Sequence, residues 1–221
     1  DEILSGRTQD TNANFIAKNL TSSGIKLEEI RVIQDDKKII VDSAKAFSEK
    51  YDYVFTTGGI GPTHDDITSE SIAEAFNKNY ETNLEAYKIL EKYYPEGEFN
   101  ISRQKMAKMP SDVELIYNPM TAAPGFKINN IFVLPGVPKI MEKMFNDIIK
   151  KIKKGKPKLI KTINTNLHES TIALRLSEVQ NKFLDSSIGS YPYFNFLSKK
   201  SGINIVVSSW NMTSIDPIIN E

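Results

Sequence analysis

The sequence predicts an α/β protein: a three-layer α/β/α domain with a mostly parallel sheet, followed by a small α+β domain. Over residues 1–154, segments with helical spacing of apolar residues alternate with short runs rich in β-branched and aromatic residues. The run 53–56 resembles a strand that is buried on both faces, and a Gly-rich turn follows it. Such alternation is typical of a sheet covered by helices on both sides.

The individual elements follow from local spacing. Apolar side chains at three- and four-residue steps predict helices, and the clearest spacing runs from Val137 to Ile152. Asn129-Asn130 is a hairpin-type turn between two short apolar runs. The predicted helices cover 15–20, 39–47, 68–76, 84–93, 100–108 and 137–152. The predicted strands cover 25–33, 53–56, 113–116, 125–128 and 131–134.

A lysine-rich segment ends this alternation. Residues 150–158 contain six lysines together with Gly155 and Pro157, a composition typical of a solvated linker. We therefore predict one domain over 1–154 and a small α+β domain over 155–221. The elements of the second domain are a strand over 159–164, a helix over 172–183 and a strand over 203–209.

The composition excludes several classes of protein. The 221 residues contain 28 basic and 28 acidic side chains and no cysteine, which rules out a disulfide framework, a cysteine-ligated metal and a thiol nucleophile. Because the total charge is zero, we do not expect nucleic acid as a partner, although the total charge does not exclude a local basic face. No apolar run reaches the ~20 residues that span a bilayer, and no signal-peptide pattern is visible, so we expect a cytoplasmic protein.

The stretch from Thr57 to Asp66 carries the chemistry. It leaves a predicted buried strand and enters a helix, which is where ligands bind in open α/β sheets. Gly58, Gly59 and Gly61 let the backbone come close to an anion with its N–H groups pointing inward. The N-terminus of the following helix adds partial positive charge. The pattern predicts a phosphate site.

Two adjacent carboxylates follow the glycines. Asp65 and Asp66 would repel a phosphate that carries no counter-ion, so they predict a bridging divalent cation. Among divalent cations the pattern favours Mg²⁺. The stretch has neither the Gly-Lys-Ser/Thr ending of a P-loop nor the G-x-G-x-x-G spacing of a dinucleotide fold. The residues alone leave a second interpretation open, a tight turn in which Asp66 or Thr68 caps the next helix.

Several segments resemble one family. Thr-Gly-Gly-x-Gly-Pro-Thr-x-Asp-Asp over 57–66 resembles the signature of the molybdopterin-binding (MoaB/Mog) domain family, and its Thr-His-Asp-Asp ending resembles the CinA (competence/damage-inducible protein A) branch. The residues 169–170 and 188–192 resemble the small KH-like domain that follows in CinA proteins. The family's first strand would precede Asp1, so we expect it outside this sequence. Further segments that resemble the family are Asp1–Gly6, Asp10–Asn12, Asp35-Asp36, Ala122–Phe126 and Pro135–Pro138.

The resemblance implies metal-dependent hydrolysis of a nucleotide pyrophosphate such as ADP-ribose, or FAD, to AMP. In the molybdenum-cofactor branch the carboxylates that match Asp35 and Asp66 are functional, so these are our candidate catalytic residues. The predicted metal ligands are Asp65 and Asp66. The candidate phosphate and substrate contacts are Thr57, Gly58, Gly59, Gly61, Pro62, Thr63, Asn12, Asp10, Glu2 and Gly136.

Simpler roles compete with these. Asp35 also suits a helix cap, and Asp10 and Asn12 suit a cap of the first helix. Residues 103–105 fall on a helix that the family uses near the ligand, but they equally fit an exposed face. Two other functions stay open: a pterin-binding protein of molybdenum cofactor biosynthesis, and a non-catalytic binding module, which could bind RNA through the KH-like part. That part has no recognisable Gly-x-x-Gly loop, so we do not favour RNA binding. The resemblance also implies a homo-oligomer, either a dimer or a trimer.

Overall fold

The computed structural model describes residues 2–195 and 200–221, so Asp1 of the opening motif lies outside them. The chain divides into two compact units. The first comprises Asp1–Lys18 and Glu28–Ile152, and the second comprises Asn19–Leu27 and Lys153–Glu221. The segment Asn19–Leu27 lies within the predicted first domain but belongs to the second unit, in which the Gly155 N–H donates to the Ser23 carbonyl at 3.2 Å.

The first unit is an α/β structure, as predicted. Its main sheet has the order β1-β6-β5-β4, and β2 pairs with β3 in a separate ribbon. The helices are α1 (Thr11–Ser22, whose last turn lies in the second unit), α2 (Lys37–Lys50), α3 (Thr68–Ala75), α4 (Leu84–Tyr93), α5 (Ile101–Lys105) and α6 (Pro138–Lys151). The strands are β1 (Val54–Thr57), β2 (Tyr80–Thr82), β3 (Lys108–Pro110), β4 (Glu114–Ile116), β5 (Gly125–Ile128) and β6 (Ile131–Leu134).

Helices cover both faces of the main sheet. On one face, Val54 packs in a buried cluster with Val41 of α2 and Ile72 of α3. On the other face, the Phe55 ring stacks on Phe132 at 5.1 Å between centroids. The same ring meets Phe145 of α6 edge-on at 5.2 Å. Because neighbouring residues of β1 point to opposite faces, this strand joins the two halves of a three-layer core.

The sheet is mixed rather than mostly parallel, which corrects one expectation. The pair β1–β6 is parallel, whereas β5 runs antiparallel to both β6 and β4. The Asn129-Asn130 turn explains this, since a two-residue connection can only join antiparallel strands.

The strand predicted over 25–33 is a second correction. The residues 25–34 form no strand among the described residues, and Ile30 and Val32 are exposed. An alternating apolar pattern supplies the side chains of a strand, but it does not supply a neighbouring backbone to pair with.

The second unit has α+β composition. It contains β7 (Leu159–Thr165), α7 (Glu169–Lys182), β8 (Ser187–Asn195), β9 (Lys200–Ser209) and α8 (Asp216–Ile219). The strands form an antiparallel sheet of order β7-β9-β8, and Val179 of α7 packs with Val207 of β9. Its likeness to a KH domain stays a prediction. No helix within the described ranges is long and apolar enough to cross a membrane.

Side chains hold the irregular segment near Glu29 against α2. Glu29 Oε2 accepts a hydrogen bond from the Tyr51 hydroxyl at 2.6 Å, and Oε1 binds Arg31 Nη2 at 2.6 Å. Lys50 Nζ adds a contact at 3.3 Å, and the Arg31 guanidinium lies 4.5 Å over the Phe47 ring. The Tyr51 hydroxyl and then Arg31 lower the pKa of the Glu29 carboxyl from 4.5 to about 2.

Glu29→Gln should therefore lower the thermal unfolding midpoint at neutral pH. A depressed folded-state pKa stabilises the protein above the ordinary pKa, and this contribution disappears as the pH falls through the folded value. The difference between variant and parent should thus shrink between pH 4.5 and about 2. Circular dichroism melts at pH 7, 4 and 2.5 measure it, with Glu49→Gln on α2 as the matched control. A difference that does not change with pH would contradict the assignment.

Candidate functional site

Two loops meet at the carboxyl edge of the parallel strands. The register aligns Thr57 of β1 with Leu134 of β6, so both strands end at the same level. The first loop, 58–67, leads into α3, and we call it the glycine loop; the second, 135–137, leads into α6. A Cβ on Gly136 would lie 3.3 Å from the Gly58 Cα, which shows that the two backbones touch. This is the edge at which parallel sheets bind ligands.

The glycine loop has room only for glycine at two positions. Gly59 has φ +70°, and a Cβ there would lie 2.0 Å from Thr68 Oγ1. A Cβ on Gly61 would lie 2.6 Å from Asp66 Oδ2. The loop therefore folds tightly on itself. Because Gly59 and Gly61 have no side chains, its backbone is not shielded at these two positions.

Three successive N–H groups of this loop are available to a ligand. The N–H of Gly58 donates to the Leu134 carbonyl at 2.9 Å and continues the ladder. Among the described residues, no acceptor binds the N–H groups of Gly59, Ile60 and Gly61. Consecutive free N–H groups of this kind form an anion-binding concavity. Ile60 was not among the predicted residues, because a sequence motif is read from side chains and the Ile60 side chain packs against the core.

Asp66 closes the glycine loop. Its Oδ2 accepts hydrogen bonds from the Thr63 N–H at 2.9 Å and the Thr63 hydroxyl at 2.5 Å. The cap of α3 is Ile67 and makes no side-chain bond, so neither Asp66 nor Thr68 is the cap that the turn interpretation required. Both Thr63 donors are directed at Asp66 rather than at a phosphate, while Asp66 Oδ1 has no hydrogen-bond partner within the described ranges.

Charged groups surround the loop. Asp65 is exposed, and His64 Nδ1 lies 3.9 Å from its Oδ1. Lys105 Nζ donates a hydrogen bond to the Thr63 carbonyl, which places a cation against the loop. Arg103 points elsewhere: its guanidinium lies 4.3 Å over the Tyr94 ring. Of the residues 103–105, Lys105 is therefore the one that the structure brings to the site.

Asn12 ties the start of α1 to the second loop. Its Nδ2 donates to the Gly136 carbonyl at 2.8 Å, and the side chain is buried. Its Oδ1 is buried without a hydrogen-bond partner in the described part of the chain. Asp10 Oδ1 accepts from the Ala13 N–H at 2.9 Å and so caps α1. Glu2 is exposed in the preceding turn, and its role at the rim of the site stays a prediction.

Asp35 lies just before α2, next to Asp36, which caps that helix through a 2.9 Å bond to the Ile39 N–H. Lys37 Nζ lies 2.9 Å from Glu70 Oε1 and 2.9 Å from Glu74 Oε2 of α3. The hydrogen bond to Glu70 and, second to it, the hydrogen bond to Glu74 raise the pKa of Lys37 to about 12. The start of α2 is thus held beside α3, which follows directly on the glycine loop.

The donor chemistry fits a hard divalent cation held in part by the substrate. Residues 2–195 and 200–221 contain no group of three or more His, Asp or Glu side chains that would hold a metal ion by themselves. Asp65 and the open Oδ1 of Asp66 offer carboxylate oxygens side by side in the sequence. Mg²⁺ is commonly bound through one or two carboxylates, with substrate phosphates and water as the remaining ligands.

These features define an α/β domain with a glycine loop, three of whose N–H groups have no acceptor among the described residues, at the carboxyl edge of two parallel strands. Residues 1–154 match the family described as "Probable molybdopterin binding domain", and residues 157–219 match "FAD synthase, middle domain". The chain belongs to the family of probable molybdopterin-binding domains.

Relatives and a solved structure agree with this membership. A protein of Archaeoglobus fulgidus is 38% identical over 192 residues, which cover 87% of this chain and 82% of that protein. A probable FAD synthase of Caenorhabditis elegans is 31% identical over 87% of this chain, but the match spans only 42% of that longer protein. The crystal structure of CinA from Thermoplasma acidophilum, of unknown function, is 36% identical, with TM-score 0.65 over 69% of this chain and 93% of that one.

Gly59→Ala should destabilise the protein more than Gly97→Ala does. Both glycines have a positive φ, but only at Gly59 would the added methyl group clash with a neighbouring side chain. Gly97 has φ +80° with nothing near its missing Cβ, whereas a Cβ on Gly59 meets Thr68. We expect Gly97→Ala to lower the free energy of unfolding by about 1–2 kcal/mol, and Gly59→Ala by a further ~1–3 kcal/mol. Urea denaturation of both variants measures the difference. Equal costs would show that the loop opens to admit the methyl group.

Proposed function

We propose that this chain hydrolyses a nucleotide pyrophosphate with the help of a divalent cation. The observation that carries the proposal is the set of free N–H groups of Gly59, Ile60 and Gly61 beside two carboxylates. A pyrophosphate needs donors for its oxygens and a cation that offsets the repulsion by the carboxylates. The free N–H groups would supply the donors, and the two carboxylates would hold the cation.

Substrate binding would use the backbone of the glycine loop and the cation of Lys105. The three N–H groups would donate hydrogen bonds to one phosphate, and the Lys105 ammonium would add a charge-assisted contact next to it. Thr57, exposed at the end of β1, offers a hydroxyl to the second phosphate. Asp65 and Asp66 would hold Mg²⁺, which would offset the charge that develops on the phosphoryl oxygens.

The reaction would be attack of water on one phosphorus. The new P–O bond forms while the bridging P–O–P bond breaks, so ADP-ribose would yield AMP and ribose 5-phosphate. Asp35 would take the proton of the attacking water, since it lies at the end of α2 that is held next to α3. Preformed donors around the phosphates would stabilise the transition state without reorganisation.

The names of the relatives support a nucleotide substrate. Similarity to the FAD synthase middle domain and to a probable FAD synthase favours FAD beside ADP-ribose as a substrate, because both contain an adenosine pyrophosphate. We keep a cytoplasmic location and a homo-oligomer, dimer or trimer, as further proposals.

A pterin ligand without turnover is the second candidate. The family description favours molybdopterin, whose phosphate would occupy the same N–H groups. A non-catalytic binding module, the third candidate, would likewise bind a ligand without turnover, but its ligand is not specified. Molybdopterin that binds in equimolar amount to a protein that releases no AMP would establish this alternative.

Purified protein incubated with ADP-ribose and Mg²⁺ should release AMP, which chromatography quantifies. Asp66→Ala should lower the rate by about 10²–10³-fold, because it removes a group that stabilises charge in the transition state. Asp52→Asn, an exposed acid before β1, is the matched control and should leave the rate unchanged. Thr63→Val removes the hydroxyl that donates to Asp66 but keeps both carboxylates. It therefore tests the contribution of the loop's shape to the rate separately from the contribution of metal binding. No AMP from the parent, or full activity in Asp66→Ala, would refute the proposal.

Lys105→Ala should raise KM for ADP-ribose about tenfold, since a hydrogen bond to a charged group contributes ~1.5–3 kcal/mol. Lys105→Arg keeps the charge and should restore most of the affinity. Lys108→Ala removes an exposed lysine of β3 and should leave KM as in the parent. Steady-state kinetics distinguish these cases, and an unchanged KM in Lys105→Ala would remove Lys105 from the phosphate site.

A further inference from the structure

The neutral total charge conceals a separation of charge between the units. The first unit contains 18 basic and 23 acidic side chains, whereas the second contains 10 basic and 5 acidic ones. The absence of net charge was one reason not to expect nucleic acid, and this reason does not apply to the second unit taken by itself. A basic domain attached to an acidic one is a pattern typical of polyanion binding.

The sheet of the second unit has one covered face and one open face. Val207 and Ile203 of β9 point to the covered face and are almost fully buried, and Val207 packs with α7. On the opposite face, which we call the open sheet face, Tyr191 is 58% and Ile160 is 55% exposed. By alternation and register this face comprises Ile160, Thr162, Asn164, Ser187, Gly189, Tyr191, Tyr193, Gly202, Asn204, Val206 and Ser208.

Two tyrosine rings lie along the open sheet face, each against a glycine. A Cβ on Gly189 would lie 2.9 Å from Tyr191 Cε2 and 3.0 Å from its hydroxyl. A Cβ on Gly202 would lie 2.9 Å from the Tyr193 hydroxyl. The glycines therefore let the rings lie down on the sheet, and an aromatic ring so placed presents a flat surface on which a base can stack.

None of the residues just named on the open sheet face is charged, and Lys200 follows the same alternation at the start of β9. Two acids of the unit, Asp216 and Glu221, are engaged on its helical side. Asp216 pairs with Lys161 at 3.3 Å, and Glu221 pairs with Arg175 and Lys182 at 3.1 Å each. The polar groups on the open sheet face are hydroxyls and amides. Asn164 Nδ2 donates to Asn204 Oδ1 at 2.7 Å, which leaves one amide oxygen and one amide NH₂ for a ligand.

Positive charge enters at one end of this sheet. Lys158 directly precedes β7 and Trp210 directly follows β9, and Lys158 Nζ lies 5.8 Å from the Trp210 ring centroid. The lysine-rich residues 150–156 lead into the same end. A cation beside an aromatic ring can bind a phosphate while the ring stacks on a base.

We propose that the open sheet face binds single-stranded RNA. Tyr191 and Tyr193 are two residues apart on β8, so about 7 Å separates them, and Trp210 lies several residues farther along the sheet. Rings so spread suit successive bases of a polymer, whereas a mononucleotide would cover only one of them. The uncharged amide and hydroxyl groups between the rings suit base edges and ribose 2′-hydroxyls, and the lysines suit the phosphates.

Fluorescence anisotropy with a labelled 12-nucleotide oligouridine and the full chain tests this proposal. The parent should bind saturably at 50 mM salt and more weakly at 200 mM salt. Tyr191→Ala should weaken binding about tenfold, and removal of both tyrosines more, while Tyr191→Phe should bind as the parent does. Because these side chains are exposed or half-exposed, we expect the variants to keep the parent's circular dichroism spectrum.

A matched pair of charge variants tests the location independently of the aromatic rings. Thr162→Asp places a carboxylate on the open sheet face and should weaken binding severalfold, whereas Asn181→Asp makes the same charge change on exposed α7 and should not. No binding by the parent at low salt, or equal binding by Tyr191→Ala and Thr162→Asp, would overturn the proposal. A parent dimer that Thr162→Asp dissociates would assign the face to a second copy of the chain instead.

Discussion

The parallel ladder between β1 and β6 is the constraint on which the candidate site depends. Four residue pairs, from Val54–Ile131 to Thr57–Leu134, bring both strand ends to one edge. A slip by one residue would separate Gly58 from Gly136 and would turn Phe55 away from Phe132 and Phe145, because side chains alternate between faces. Core packing and loop contact therefore demand the same register. The site inherits its geometry from the hydrophobic core.

The glycine loop is held on several sides before any ligand binds. The Leu134 carbonyl holds its first N–H, Asp66 holds Thr63 from within, and Lys105 holds the Thr63 carbonyl from α5. A loop fixed in this way does not have to become ordered when a phosphate arrives, so binding costs less conformational entropy.

Local patterns predicted much of the fold, and nonlocal pairing accounts for what they missed. The spacing in α4 and α6 and the apolar run of β1 are properties of neighbouring residues, so the sequence alone located them. The segment 25–34 has the composition of a strand but no ladder partner within the described chain, and β8 contains glycine and proline that disfavour strand prediction.

The same distinction applies to the site. The glycines and acids were visible as a motif. The availability of the Ile60 N–H and the contact of Lys105 depend on where every other donor is used, and a linear pattern does not contain that information.

The hydrogen bond between Gly155 and Ser23 has a consequence for how the protein is made. The nine residues Asn19–Leu27 belong to the second unit, although the first unit surrounds them in the chain. During synthesis they leave the ribosome more than 120 residues before Lys153, the start of the remainder of their unit. A segment that is synthesised early therefore has to join a unit whose remainder is synthesised last. No single cleavage of the chain yields both units intact.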